Sequence, residues 1–452
     1  MLYYSTNLRA RRVGFKDALI KGLAEDGGLY LPESIPRLSI DEIASMKEMN
    51  YPEIAFRVAE KFLAEDIPAS DLKALVDDAY DYPVPLERVR ERQYVMRLDQ
   101  GPTASFKDFA ARLMGRWMQY YLAQDGRKLL ILTATSGDTG SAIANAFYGL
   151  DNIDVVVLFP INEVTARQRK QMTTLGKNIR TVAIDGKFFD CQALVKQAFS
   201  DPQLEYLKLS SANSINIGRL LPQTMYYFHA YSRLAEREGE EVIFSVPSGN
   251  FGDMMGGMIA KNMGLPVSKY VIATNSNDEF PVYMATGQYH TIVPSRNCIS
   301  SAMNVGHPSN VSRLIALYGG VMDEKGVIHT QPDLDKMRRD IHAVSVSDAL
   351  TEATITDTYL RHSVLLEPHG AVGWAGLLDY LHHNPAERDK LCVSLETAHP
   401  AKFPEKIVEL LGIDPALPPS LENLDHLPEN HVSMETTYEA FVKFLTANYE
   451  AK

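Results

Sequence analysis

Between residues 94 and 274 the sequence repeats one pattern: a short, near-continuous apolar run, then an amphipathic segment. The runs are YVMRL (94–98), KLLILTAT (128–135), DVVVLFP (154–160), IRTVAI (179–184), YLKLS (206–210), EVIFSVP (241–247) and KYVIAT (269–274). A strand with one wet face alternates polar and apolar residues. These runs barely alternate, so both of their faces must be covered. The segments between them, at 137–149, 163–175, 189–200, 216–236 and 250–263, carry helical spacing. The pattern predicts a doubly wound α/β architecture with mostly parallel sheets.

A chain of 452 residues exceeds what one core usually serves, which predicts two or three lobes. Residues 1–90 are expected to form a helical N-terminal region, with helical patterns at 15–24, 52–64 and 70–80 broken by GGLYLPESIP (27–36). A first α/β lobe is expected over 91–235 and a second over 236–405. A C-terminal extension, 406–452, starts with the Pro-rich connector PALPPSLENLDHLP (415–428).

The net charge of −12 disfavours nucleic acid or an anionic membrane as partner, but leaves room for a local basic pocket around a small anion. Cys191, Cys298 and Cys392 lie far apart with no metal-ligand spacing, so neither a disulfide framework nor a metal site is expected. No apolar run approaches the ~20 residues of a membrane span. Arg9, Arg11 and Arg12 are followed closely by Glu25 and Asp26, so the N-terminus reads as neither signal nor transit peptide. A cytoplasmic protein is expected, with monomer and homodimer both open.

Residues 100–108 read QGPTASFKD, and Phe109, Leu113, Met114, Trp117, Met118 and Tyr121 then follow at helical spacing. Lys107 therefore stands at the start of a buried-faced helix, the end that prefers anions. Two strand–loop–helix junctions are rich in glycine: LTATSGDTGSAIANAF (132–147) and FSVPSGNFGDMMGGMIA (244–260). Loop amides ahead of a helix can cradle an anion. Neither junction is a P-loop or a dinucleotide fingerprint. Two such loops and a misplaced lysine suggest a phosphorylated aldehyde cofactor, pyridoxal phosphate, bound to the lysine as a Schiff base. Tight strand–helix packing would select the same small residues, and a surface lysine is the plain alternative.

Several segments, in order, resemble the threonine synthase family. They are YYSTN (3–7), FKDALIKGLAEDGGLYLPE (15–33), GPTASFKDFA (101–110), TSGDTGSA (135–142), ANSINIGRLLPQTMYYF (212–228), PSGNFGD (247–253), SAMNVGHPSNVSRL (301–314), EPHGAVGW (367–374) and LETAHPAKFPE (395–405). The resemblance implies a fold-type II pyridoxal-phosphate enzyme with two doubly wound α/β lobes. It implies Lys107 as the Schiff-base lysine and catalytic base. Gly249, Asn250, Phe251, Gly252 and Asp253 would form the cofactor-phosphate loop, mostly through backbone N–H. Thr397 would meet the pyridine nitrogen as a neutral partner. Ser136, Gly137, Asp138 and Thr139 would face the substrate amino acid and the cofactor's 3′-oxygen. Asn213, Ser214 and Arg219 would take the substrate phosphate. Ala104-Ser105 stands where Leu-Ala is commoner in the family, and Asn304 where aspartate is common.

The implied reaction converts O-phospho-L-homoserine and water to L-threonine and phosphate, by γ-elimination and β-addition. A phospholyase releasing a 2-oxo acid and ammonia, and an inactive member with a binding role, are the competing expectations. Asp108 reads as a helix N-terminal charge. Asp253 is as well placed to cap its helix as to touch cofactor. His369 and His399 are expected to be structural hydrogen-bonding groups, ARQRK (166–170) a solvated helix face or else a lining of the site entrance, and Trp117 and Trp374 core residues.

Overall fold

The structure, a computed structural model, describes residues 1–135 and 137–449. Two predominantly parallel sheets organise it. The smaller has the strand order Val432–Met434, Ile179–Ile184, Ile153–Pro160, Leu129–Ala134, Leu209–Ser210, all parallel. The larger runs Ile341–Ser345, Val267–Thr274, Val242–Pro247, Leu391–Glu396, Gln93–Arg97, Leu86–Arg90, and only Leu86–Arg90 is antiparallel to its neighbour. Every residue of the strands Leu129–Ala134, Val242–Pro247 and Leu391–Glu396 is buried, as near-continuous apolar runs require.

Six of the seven expected strands form within a residue or two of their apolar runs. The seventh, expected over 206–210, shrinks to Leu209–Ser210. Pro202 and the Asp201 cap, which accepts from Gln203 N–H at 2.9 Å, wind Pro202–Leu207 into a 3-10 turn instead.

The lobe boundaries need correction at two places. Gln93–Arg97 falls inside the expected first lobe, 91–235, yet pairs with Leu391–Glu396 in the larger sheet. Val432–Met434, from the expected C-terminal extension, closes the edge of the smaller sheet. An apolar run identifies a strand but not its partner, because a parallel partner is chosen by crossover geometry.

The N-terminal region holds the expected helices Phe15–Lys21, Tyr51–Leu63 and Ala69–Ala79. Asn50 and Glu53 form a capping box at the second of these, with Pro52 in its first turn. The region also contains a three-stranded antiparallel sheet, Val13–Gly14, Leu2–Ser5, Tyr30–Pro32, which was not expected. Strands of two to four residues are too short to show periodicity. Phe15 packs edge-on to Trp117 with ring centroids 5.3 Å apart, fixing this region on the helix Lys107–Asp125. That helix also packs against Asp138–Phe147, where Gly115 admits the Ala146 carbonyl oxygen to 3.2 Å of a would-be Cβ. Among the described residues no helix is long and apolar enough to cross a membrane.

Candidate active site

Lys107 opens its helix, as expected, and the turn before it is bound from several directions. Phe106 N–H donates to the Thr397 carbonyl at 2.9 Å, and His399 N–H to the Ala104 carbonyl at 3.0 Å. Asp108 is buried and accepts from the Thr103 hydroxyl at 2.6 Å and the Thr103 N–H at 2.9 Å. It stands in the first turn of the helix, as a helix N-terminal charge, and from there also anchors the Gly101–Phe106 turn. The Thr103 carbonyl in turn accepts from Gln171 Nε2 at 3.0 Å and Lys402 Nζ at 2.9 Å. Lys107 itself is half-buried, its Nζ 4.9 Å from the Phe106 ring centroid, with no hydrogen-bond or ion-pair partner among the described residues. Burial pushes its ammonium below the usual lysine range. Asp138 works against that shift, while Lys402 and Arg219 reinforce it. An amine held in place, unpaired and inclined to be neutral is a candidate nucleophile and base.

The second glycine-rich loop presents its backbone as an anion cradle. The N–H groups of Gly249, Asn250, Phe251, Gly252 and Asp253 donate to no described residue, although they lead into the 11-residue helix Gly252–Asn262. Phe251 turns the chain with φ 62°, and Gly249 lies so close to the 302–303 backbone that a Cβ would come 2.8 Å from the Ala302 carbonyl oxygen. The Asp253 side chain points elsewhere: its Oδ1 accepts from the hydroxyls of Tyr226 at 2.6 Å and Tyr227 at 2.8 Å. Burial raises its pKa to about 6, opposed by those two bonds. Its Oδ2 has no partner among the described residues, and its main-chain N–H is also without a described acceptor.

Ser136 lies outside the described residues. The remainder of its loop is shaped by Thr135, whose hydroxyl accepts from Gly137 N–H at 2.9 Å and Gly140 N–H at 2.8 Å. Gly137 adopts φ 138°, and a Cβ there would lie 2.5 Å from Gln168 Cδ. The N–H groups of Asp138 and Thr139 have no described acceptor. Asp138 is buried with its Oδ1 2.6 Å from Lys402 Nζ and 3.0 Å from Gln168 Nε2. Burial alone would raise this carboxyl, but Lys402 and Lys107 outweigh it and hold the group well below the ordinary carboxylate range.

Arg219 is buried without a carboxylate partner. Its Nη1 donates to the Ala212 carbonyl at 2.7 Å, while its Nε has no partner among the described residues. Burial lowers its pKa to about 10, with Asp108 opposing. An unpaired buried guanidinium fits an incoming anion. Asn213 accepts from Thr133 Oγ1 at 2.9 Å, its amide N–H₂ has no partner among the described residues, and Ser214 Cβ lies 3.6 Å from a would-be Cβ on Gly252. Arg313 is different: all its described bonds run to the Tyr30, Ser214 and Ile215 carbonyls and Asn310 Oδ1, so it clamps backbone.

Behind Thr397 sits a buried acid cluster. The Thr397 hydroxyl donates to Glu367 Oε1 at 3.4 Å, and Glu367 also accepts from His369 Nδ1 at 2.5 Å and from the N–H groups of His369 and Gly370. His369 Nε2 accepts from Ala302 N–H at 3.0 Å. Glu367 thus connects Thr397 with the backbone that covers Gly249. Glu396 accepts from Glu367 N–H at 2.8 Å, and burial together with the neighbouring Glu367 raises its pKa. Burial also pushes His399 down to about 4, with Arg97 and Lys402 adding to the effect; its Nδ1 accepts from Ala401 N–H at 3.1 Å.

Lys107, the loop 249–253, Gly137–Thr139, Arg219 and Thr397 therefore surround one region. Lys402 and Glu367 were not anticipated as site residues. Both sit inside segments already singled out, LETAHPAKFPE and EPHGAVGW, but local spacing cannot say which buried charge a lysine will meet. ARQRK (166–170) is not the solvated face expected: Arg167 donates to the Ala401 carbonyl, Arg169 pairs with Glu429 at 2.8 Å, and Lys170 donates to the Asp425 carbonyl at 2.5 Å.

Comparison with known proteins agrees along the chain. Family models described as threonine synthase N terminus, pyridoxal-phosphate dependent enzyme, and threonine synthase C-terminal match residues 2–80, 81–397 and 370–445. The threonine synthase of Haemophilus influenzae is 41% identical over 431 residues, covering 95% of each chain. That of Escherichia coli is 37% identical, covering 98% of this chain and 99% of the relative. The crystal structure of the pyridoxal-phosphate-bound threonine synthase from Brucella melitensis superposes with a TM-score of 0.92 at 36% identity over the whole of both chains. With both sheets, the lysine turn and the two glycine loops in the same chain, the protein belongs to the threonine synthase family of pyridoxal-phosphate-dependent enzymes.

Proposed function

We propose that this chain converts O-phospho-L-homoserine and water to L-threonine and phosphate, with pyridoxal phosphate bound between the two sheets. The observation that carries the reading is the unpaired Lys107 amine standing between two sets of unpartnered main-chain N–H groups and the orphaned guanidinium of Arg219. Those groups fit the cofactor: the amides of Gly249–Asp253 suit its phosphate, Lys107 its aldehyde, and Thr397 its ring nitrogen. When bound, pyridoxal phosphate supplies an electron sink for negative charge developing beside the amino-bearing carbon.

The protein's own groups supply binding and proton movement. Lys107 Nζ, inclined to be neutral by burial, takes the proton from the substrate Cα and then acts on Cβ. Arg219, Asn213 and Ser214 hold the phosphate that leaves from Cγ; a guanidinium fork matches its oxygens. Asp138 and Thr139 offer N–H groups to the substrate carboxylate. Glu367 accepts the Thr397 hydroxyl proton at 3.4 Å, so Thr397 offers a lone pair to the ring nitrogen, a stronger bias toward a protonated ring than a donating hydroxyl gives. We infer a cytoplasmic setting, in keeping with three free cysteines.

The test is an assay of the purified, cofactor-loaded protein on phosphohomoserine. Threonine and phosphate released in equal amounts support the reading. Phosphate with 2-oxobutyrate and no threonine overturns it in favour of a phospholyase. No turnover, with no visible cofactor band, indicates an inactive member.

A further inference from the structure

Lys402 is fully buried, far from Lys107 in sequence, and has no assigned role. Its ammonium reaches two acceptors, Asp138 Oδ1 at 2.6 Å and the Thr103 carbonyl at 2.9 Å. It therefore ties the SGDTG helix to the turn that carries Lys107. Besides Asp108 on its own helix, the charges that act on Lys107 come from several elements: Asp138 from the helix Asp138–Phe147, Arg219 from Ile217–Leu220, Glu367 from the cap of Pro368–His383, and Asp253 from Gly252–Asn262. Asp138 is the leading carboxylate among them. Left without a counter-charge, it would hold Lys107 as an ammonium, which can neither attack nor take a proton.

We propose that Lys402 is a positioning residue for Lys107: by pairing with Asp138 it offsets that carboxylate and keeps the lysine amine free to act as a base. The pair works as a unit. Lys402 saturates Asp138 Oδ1, Gln168 Nε2 fixes the same oxygen at 3.0 Å, and the Lys402–Thr103 bond sets the distance between Asp138 and the Lys107 turn. The direction of the Lys107 shift agrees, with Asp138 raising and Lys402 lowering it. Removing one partner of a buried pair leaves an uncompensated charge, so each single loss should act strongly and in opposite senses.

The inference rests on Lys107 as the lysine that carries the cofactor. It is tested on the holoenzyme by titrating the visible cofactor band from about pH 5 to about pH 10. Lys402→Met should move the midpoint upward by about one pH unit or more, and Asp138→Asn downward by a similar amount. The double variant Asp138→Asn/Lys402→Met should return close to wild type, and Lys402→Arg should largely restore it. If the wild-type band does not change in that range, the acidic limb of the kcat profile is read for the same shifts. An unmoved midpoint in Lys402→Met, or a double variant that shifts as far as Lys402→Met alone, overturns the inference. If Lys402→Met fails to fold, Asp138→Asn decides: a downward shift supports the inference and no shift overturns it. Borohydride reduction followed by peptide mapping separates the two layers. Wild-type cofactor fixed elsewhere than on Lys107 refutes the underlying assignment, whereas unshifted midpoints with Lys107 labelled refute only the role of Lys402.

Discussion

The Tyr226 hydroxyl donates to Asp253 Oδ1 across 2.6 Å in the buried interior, while Asp253 Oδ2 has no partner among the described residues. This carboxylate pays for its burial: its pKa rises to about 6 from 3.8. A raised carboxyl pKa means the folded state binds the proton more tightly than the unfolded state. Its favourable contribution is therefore complete below about pH 4 and is lost as pH rises through about 6. In Asp253→Asn, which keeps an acceptor for both tyrosines, that loss should disappear. Relative to wild type, the variant should gain about 2–3 kcal/mol between pH 4 and pH 6.5. Denaturant midpoints of both proteins in the same cofactor state, measured across this range, check the prediction; parallel curves would refute it.

Lys107→Ala should remove an amine that has no hydrogen-bond or ion-pair partner among the described residues. Turnover should fall by at least about 10²-fold, the usual worth of a positioned acid–base group. Borohydride should then no longer fix the cofactor to the protein. Mass spectrometry after reduction reads this directly, and covalent retention in the variant would show that another lysine is responsible.

Gly249→Ala would place a Cβ 2.8 Å from the Ala302 carbonyl oxygen and 3.1 Å from Met303 Cα, both backbone atoms. Neither can move aside as a flexible side chain would, so the loop 249–253 must shift. A cost of about 1–3 kcal/mol should appear as roughly a tenfold to hundredfold weaker cofactor affinity. Equilibrium dialysis against pyridoxal phosphate measures it, with Tm of the cofactor-free protein expected to change much less.

Arg219→Lys keeps the charge but loses the fork and the orphaned Nε. The KM for phosphohomoserine should rise about tenfold or more, as expected when a planar bidentate donor becomes a point charge. The cofactor spectrum should be unchanged, because the substitution keeps the positive charge near Lys107. Steady-state kinetics with inorganic phosphate as competing inhibitor tests both statements: the inhibition constant should weaken in step with KM.

Much of the candidate site is legible in the sequence because its parts are local. The expected Lys107 helix start, the SGDTG and SGNFGD loops and the strands leading into them all form where turn chemistry and apolar runs place them. The same local logic places Asp108 in the first turn of its helix, where it stands, but missed its burial against Thr103. It also misjudged the basic run 166–170, which looked solvated but binds the C-terminal segment.

By itself the sequence determined most strands and helices of the two lobes, pointed to the family by resemblance, and singled out Lys107 as the candidate lysine, since strand runs, glycine turns and helix starts depend on near neighbours. Tertiary structure alone decided which sheet receives Gln93–Arg97, that Lys402 meets Asp138, and that Glu367 joins Thr397 to the backbone over Gly249. The physical reason is common to all three. Strand pairing and buried charge pairing are settled by which groups leave water together, and that depends on the packing of segments distant in the chain.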